Sequence, residues 1–221
     1  LVRFFNNPAK YLIQKRFGIK LEEMQLLSDE RENFDLPPLE RYLIGQNLVK
    51  NLVSGATLND FKSIQKASGQ LPHGNVGDYY YAEMTIEAQQ FIGQIEKFSA
   101  AGSRDSITID LDAAGFHLHG RLLSLSALGY IHLRYARRRV KDLLKAWIHH
   151  LIYCHAAPAD YERSSYLICK DSAVQFEPVS DSLSILKDLL KLFWQGLEKP
   201  LHFFPKSSFE YADRLLKKSA G

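Results

Sequence analysis

Cysteine is scarce in this sequence. The 221 residues include two, Cys154 and Cys169, with no CxxC spacing. That excludes a disulfide framework and paired-thiol metal or redox motifs, and implies buried apolar thiols in a reducing, cytoplasmic setting. No apolar run approaches the roughly 18 residues of a membrane span. The N-terminus carries Arg3, Asn6 and Asn7 among its aromatics, without the continuous apolar core of a signal peptide. No GxSxG elbow is present, and Cys154 continues an apolar helix face, so serine and cysteine hydrolases are set aside. His149, His150 and His155 do not form HExxH; local hydrogen bonds or solvent are expected for them. The glycine-rich stretch 69–77 (GQLPHGNVG) lacks the Lys-Ser or Lys-Thr of a phosphate loop and runs into Asp78, which would repel an anion. A tight turn before a helix is the better reading. The chain starts at Leu1 rather than Met, so it is expected to be a piece of something longer.

What is present is ordinary for a globular protein: 46% hydrophobic and 24% charged residues, with a net charge of +3. A charge this small permits nucleic-acid contact without arguing for it. The length suits one large domain or two small ones. No repeat or low-complexity segment is visible.

Along the chain, Asn7 and Pro8 begin a first helix with an apolar face of Phe4, Phe5, Tyr11, Leu12 and Phe17, and Gly18 ends it. An acidic stretch at 28–35 (SDERENFD) leads to the stiff Leu36-Pro37-Pro38 connector. Helices follow over 39–53, stopped by Gly55, and over 58–67, where Thr57 and Asp60 make a capping-box start. The next helix is expected over 79–98, with Met84, Ala88, Phe91, Ile92, Ile95 and Phe98 in register.

The period then becomes that of strands. In 107–112, Ile107, Ile109 and Leu111 point one way and Thr108, Asp110 and Asp112 the other. Ala114-Gly115 turns into 116–125, with Phe116, Leu118 and Leu122 opposite His117, His119, Arg121 and Leu123. Ser126-Ala127 then joins a third strand over 128–135. Helical spacing returns at Val140, Leu143, Leu144, Trp147, Ile148, Leu151 and Ile152, a stripe expected to be buried on the sheet. Strands at 165–169 and 173–177 pair around Lys170-Asp171-Ser172. Ser180 caps an amphipathic helix bearing Leu183, Leu186, Leu189, Leu190, Phe193, Trp194 and Leu197. A proline break and a short basic helix close the tail.

The resulting fold class is α/β (α+β), with an αβββαβ order over 79–169. That order resembles the PD-(D/E)XK, or restriction-endonuclease-like, core, with added N-terminal helices and a C-terminal helix. In active members of its RecB-like branch, a Gly-x-x-Asp and an Asp-x-Lys on successive strands supply two carboxylates and a lysine. Magnesium is bound through such oxygens, activates water and offsets phosphate charge. Here Gly120-Arg121-Leu122-Leu123 puts Leu123 at the first aspartate, and Arg134-Tyr135-Ala136 puts Arg134 and Ala136 at the second pair. Leucine cannot ligate magnesium and arginine would repel it, so these positions carry no catalytic or metal-binding residue, and no cofactor is expected.

Several phrases make the resemblance more specific: RFFNNPAKYLIQKRFGIKL at the start, LERY at 39–42, LPHGNVG at 71–77, IDL at 109–111 and WIHHLIYC at 147–154. Their order and spacing resemble the C-terminal domain family of RecC, the gamma subunit of exodeoxyribonuclease V in RecBCD complexes. The resemblance implies a noncatalytic scaffold and DNA-path domain of an ATP-dependent helicase–nuclease that processes double-strand breaks. It also implies forked or single-stranded DNA and RecB-like and RecD-like helicase subunits as partners, and no membrane. The expected organisation is an N-terminal helical part over 1–78, a degenerate nuclease-like core over 79–205, and a tail over 206–221 where the family domain is cut short.

The densest basic stretch is Arg134, Arg137, Arg138, Arg139, Lys141 and Lys145. Arginines entering a helix oppose its macrodipole, a cost that hints at a role. Their planar forks suit phosphate and carboxylate alike, so DNA contact (Arg134, Arg137, Arg138, Arg139, Lys141) and partner contact or solvation stand level. His117 with His119, and Asp110 with Asp112, each share a strand face. Without a third ligand at recognisable spacing the structural reading is favoured. A metal-dependent nuclease using Asp110 or Asp112, and a protein-interaction module without DNA contact, remain the alternatives.

Overall fold

The computed structural model describes residues 1–19, 35–53, 57–99 and 102–219. The acidic stretch 28–34 and the Gly55 stop lie outside the described residues. The N-terminal part forms two short helices in place of the expected one, α1 (Val2–Asn6) and α2 (Pro8–Lys15). Asn7 breaks between them because its side chain caps α2, accepting from the Lys10 amide. Helices α3 (Pro38–Val53), α4 (Leu58–Ala67) and α5 (Gly74–Ser99) follow. Thr57 caps α4 through the Asp60 amide, as the spacing predicts. Helix α5 begins five residues before the expected Tyr79, absorbing the last four residues of the glycine-rich turn. Asp78 in its first turns is paired by Lys62 at 2.8 Å and Lys66 at 2.7 Å, which ties α5 to α4.

Next come strands β1 (Ser103–Arg104), β2 (Ile107–Ala113), β3 (Phe116–Leu122), β4 (Leu125–Ser126) and β5 (Gly129–Arg134). Helix α6 (Val140–Ala156), strands β6 (Ser165–Cys169) and β7 (Ala173–Phe176), and helices α7 (Ser182–Glu198) and α8 (Pro205–Ser219) complete the order. The strands make two sheets rather than one. β1-β4-β5-β6-β7 form a five-stranded sheet, and β2-β3 a separate hairpin. The expected strand 116–125 divides at Ser124, whose φ of 62° turns the chain out of one sheet and into the other. β5 and β6 are parallel, joined through α6, with Ile131 opposite Tyr166 and Arg134 opposite Cys169.

Alternation sorts the sheet's two faces. Ile131, Tyr135 and Ile168 join Ile44, Leu48, Met84, Ala88 and Phe91 in one core under α3 and α5. Leu167 and Cys169 meet Ala146 of α6 on the other face, and Tyr130 meets Tyr153. Gly45 lets α3 approach: a Cβ there would lie 2.6 Å from a Tyr135 ring carbon. The hairpin packs Ile107, Ile109 and Leu122 against the Tyr153 region, and Ala113 against Leu186 and Leu190 of α7.

Part of the apolar stripe on α6 meets the sheet as expected, Leu143 packing with Leu167 and Cys169 and Trp147 against Phe176, and part lies elsewhere. Ile148 packs on Phe4 and Phe5. Val140, Leu143, Leu144 and Trp147 line an apolar groove with α8. The sheet is also met by Ala146 and Tyr153 and by His150, which is fully buried. His150 satisfies both ring nitrogens, Nδ1 with Ser165 Oγ at 2.8 Å and Nε2 with the Glu177 carbonyl at 2.9 Å. Asp181, not Ser180, precedes α7.

Candidate functional site

The parallel β5–β6 pair places its carboxyl ends, Arg134 and Cys169, side by side. In open α/β sheets this end is where ligands bind. Two loops leave it together. The Lys170 amide donates to the Ala136 carbonyl at 3.0 Å, and the Arg138 amide to Asp171 Oδ1 at 2.8 Å. That second bond lowers the Asp171 pKa. α6 then starts, and Asp142 in its first turn accepts from the Arg139 amide at 3.1 Å. An acid here complements the helix N-terminus.

Arg134 is fixed. Its Nη1 donates to Tyr42 Oη at 2.8 Å, and its Nε lies 3.3 Å from Asp142 Oδ1. Arg137, Arg138, Arg139 and Lys141 are exposed. No ion pair joins any of their side chains to a carboxylate among the described residues. Asp142 thus anchors the one inward arginine and leaves the others facing solvent around the α6 N-terminus.

Beside them is an open polar depression of about 460 Å³, lined by Arg41, Tyr42, Glu87, Ala136, Arg137 and Lys170 among others. Glu87 bridges Arg41 at 3.1 Å and Lys170 at 2.6 Å. Lys170 Nζ sits 4.6 Å from the Tyr135 ring centroid. Burial, with Glu87 adding to it, pushes the Tyr135 hydroxyl up to about 12. Motif and charge-run reasoning does not single out Arg41, Tyr42, Glu87 or Lys170. The signals in the sequence are weaker: Arg41 and Tyr42 belong to the LERY phrase, and Glu83 with Glu87 share a helix face at i, i+4.

Of the three motif positions, Leu123 is 61% exposed in the turn after β3, beside Ser124, whose carbonyl accepts from the Ile131 amide of β5 at 3.0 Å, while Arg134 ends β5 and Ala136 lies two residues beyond it. Asp110 and Asp112 stand on the outer face of the hairpin, where His117 is held by Asp110 at 3.3 Å and Asp112 at 2.9 Å. The Asp112 hydrogen bond raises the His117 pKa. This is a cross-strand pair, and among the described residues no three His, Cys, Asp or Glu side chains are grouped to hold a metal.

Comparison with known proteins gives consistent matches. The family model for the RecC C-terminal domain matches residues 1–216. The RecBCD enzyme subunit RecC of Escherichia coli (strain K12) is 27% identical over 209 residues, covering 94% of this chain. RecBCD enzyme subunit RecC of Haemophilus influenzae (strain ATCC 51907 / DSM 11121 / KW20 / Rd) is 22% identical over 196 residues, covering 84% of it. The chain spans only 18% and 17% of the lengths of these two relatives.

Proposed function

The chain belongs to the RecC C-terminal domain family, and on that premise we propose that it is a noncatalytic scaffold and DNA-path domain of a RecC-type (gamma) subunit. The parent assembly is an ATP-dependent helicase–nuclease of the exodeoxyribonuclease V class, acting in double-strand-break repair and recombination. RecB-like and RecD-like subunits are its partners, forked or single-stranded DNA its nucleic acid, and the cytoplasm its compartment.

The observation that carries this reading is the group of exposed cations at Arg137, Arg138, Arg139 and Lys141, whose side chains form no ion pair with a described carboxylate. They surround a helix N-terminus, where phosphate is favoured by both charge and orphan amides. Arg134 is engaged by Tyr42 and Asp142, so we assign phosphate contact to the other four. The degenerate-nuclease part of the reading is supported by the strand–helix–parallel-strand unit β5-α6-β6 and by leucine, arginine and alanine at the motif positions. Two or more metal-binding carboxylates are needed for metal-assisted phosphodiester hydrolysis, and Leu123, Arg134 and Ala136 supply none.

A cleavage assay tests this. The chain incubated with labelled forked duplex and Mg²⁺ or Mn²⁺ is expected to bind the DNA and leave it intact. Metal-dependent cleavage that disappears in Asp110→Ala or Asp112→Ala would overturn the noncatalytic assignment.

A further inference from the structure

Beside α6's first turns, where the edge strand β7 ends at Phe176, lies a groove of about 340 Å³. It is lined by Val140, Leu143, Leu144, Trp147, Phe176, Phe203 and Phe209. All but Phe209 are partly buried, and the groove is almost wholly apolar. α8 forms its outer wall and buries none of its own residues. Phe209, Tyr211, Leu215 and Leu216 are all at least 46% exposed. An amphipathic helix that leaves its apolar side uncovered marks a surface of contact.

Electrostatics narrow what that contact is. Val140 and Pro205 are the first residues of α6 and α8, and both line the groove, so two helix N-termini converge on it. The residues flanking Val140, Arg139 and Lys141, and the one after Pro205, Lys206, are exposed and in no ion pair with a described carboxylate. The carboxylates beside lining residues are Asp142, Glu177 and Glu210, and Asp142 is already taken by Arg134. An apolar floor under positive helix ends and unpaired cations fits an amphipathic segment with apolar side chains on one face and carboxylates along its edges.

We infer that this groove docks an acidic amphipathic segment of a partner protein. The inference shares Arg139 and Lys141 with the DNA-path reading but is tested apart from it, because its floor is apolar and its outer wall, α8, lies outside the basic loop.

The chain's two tryptophans allow a direct test. Trp147 lines the groove, while Trp194 lies against Phe116 beside a different depression. In a Trp194→Phe background, Trp147 emission is followed during titration with a synthetic helical peptide. Its leucines recur at i, i+3, i+4 and i+7 and are flanked by glutamates. A saturable blue shift is expected, with binding about tenfold weaker when lysines replace the glutamates. No such shift is expected from a scrambled acidic peptide. Phe209→Ser, at a half-exposed site of a helix without buried residues, should abolish the response while leaving the melting temperature unchanged. The inference is overturned by an equal response to the lysine or scrambled peptide, by no saturable response, or by insensitivity to Phe209→Ser. Self-association in sedimentation that Phe209→Ser abolishes would also overturn it, by making the occupant a second copy of the chain.

Discussion

Gly129→Ala is expected to be the most destabilising single methyl addition in this protein. Gly129 opens β5 at φ 122°, a backbone region that side chains rarely adopt. A Cβ built there would lie 2.0 Å from the Ser164 carbonyl oxygen and 2.9 Å from its carbon. That carbonyl accepts from the Tyr130 amide at 3.1 Å, the contact that brings β6 alongside β5. The methyl therefore meets rigid backbone rather than a yielding side chain, at the entry to the central parallel pair. Backbone strain of roughly 1–3 kcal/mol adds to an overpacking cost of similar size. The sum corresponds to a fall of roughly 5–15 °C in melting temperature for a chain of this length. Gly120→Ala is the matched control, because nothing lies within 4 Å of its Cβ position. Differential scanning calorimetry of the two variants checks this, and equal melting temperatures would refute the steric account.

The second large effect is a loss of stability in mild acid. His132 on β5 is held neutral: burial first, then Lys145, His149 and Arg134, lower its pKa from 6.5 to about 4. Burial also lowers His149 and His150. For a depressed histidine the unfolded chain takes up the proton first, so stability is complete above pH 6.5 and falls as pH drops toward 4. His132 alone is expected to cost about 2 kcal/mol by pH 5 and about 3 kcal/mol below pH 4. His117 works with the opposite sign. Its raised pKa favours the folded state at low pH and is lost on the alkaline side, but the group is exposed and does not offset the buried ones. Urea denaturation at pH 7 and pH 5 should show a midpoint that drops with acid, and His132→Asn should flatten that dependence. A variant whose pH profile matches the parent's would remove His132 as the cause.

Much of the local structure is legible in the sequence because single residues dictate it. Thr57 and Asn7 cap helices through their own oxygens, and the Ile107-Ile109-Leu111 alternation gives a strand directly. Ala114-Gly115 supplies the positive φ values of 50° and 78° that a tight hairpin needs. The division into two sheets is not legible. It depends on Ser124 taking a left-handed φ, which serine rarely does, and on pairing partners far along the chain, such as Tyr130 with Ser165. The α6 stripe is informative only in part, for a related reason. Helical periodicity reports that a face is apolar, but not which neighbour covers it. Here Leu143 and Trp147 of the stripe meet the sheet, joined by Ala146, His150 and Tyr153, small or polar-tipped residues that a search for aliphatic spacing passes over. Within the site, the cationic run is readable as a run. The distinction between an anchored Arg134 and the free Arg137, Arg138 and Arg139 is not, because it rests on Tyr42, 92 residues away in sequence, and on Asp142.

The assignment of DNA to the α6 N-terminus is tested most directly by fluorescence anisotropy of a forked duplex over a salt series. The unmodified chain is compared with an Arg137→Ala, Arg138→Ala, Arg139→Ala triple variant. These side chains make no ion pair with a described carboxylate, so the variant should fold with an unchanged melting temperature. Every phosphate that the variant no longer neutralises lowers the slope of log affinity against log salt by roughly one unit, so a reduction of about two to three is expected. Equal slopes for the two proteins, or no binding by either, would contradict the account and leave the arginines to a protein partner.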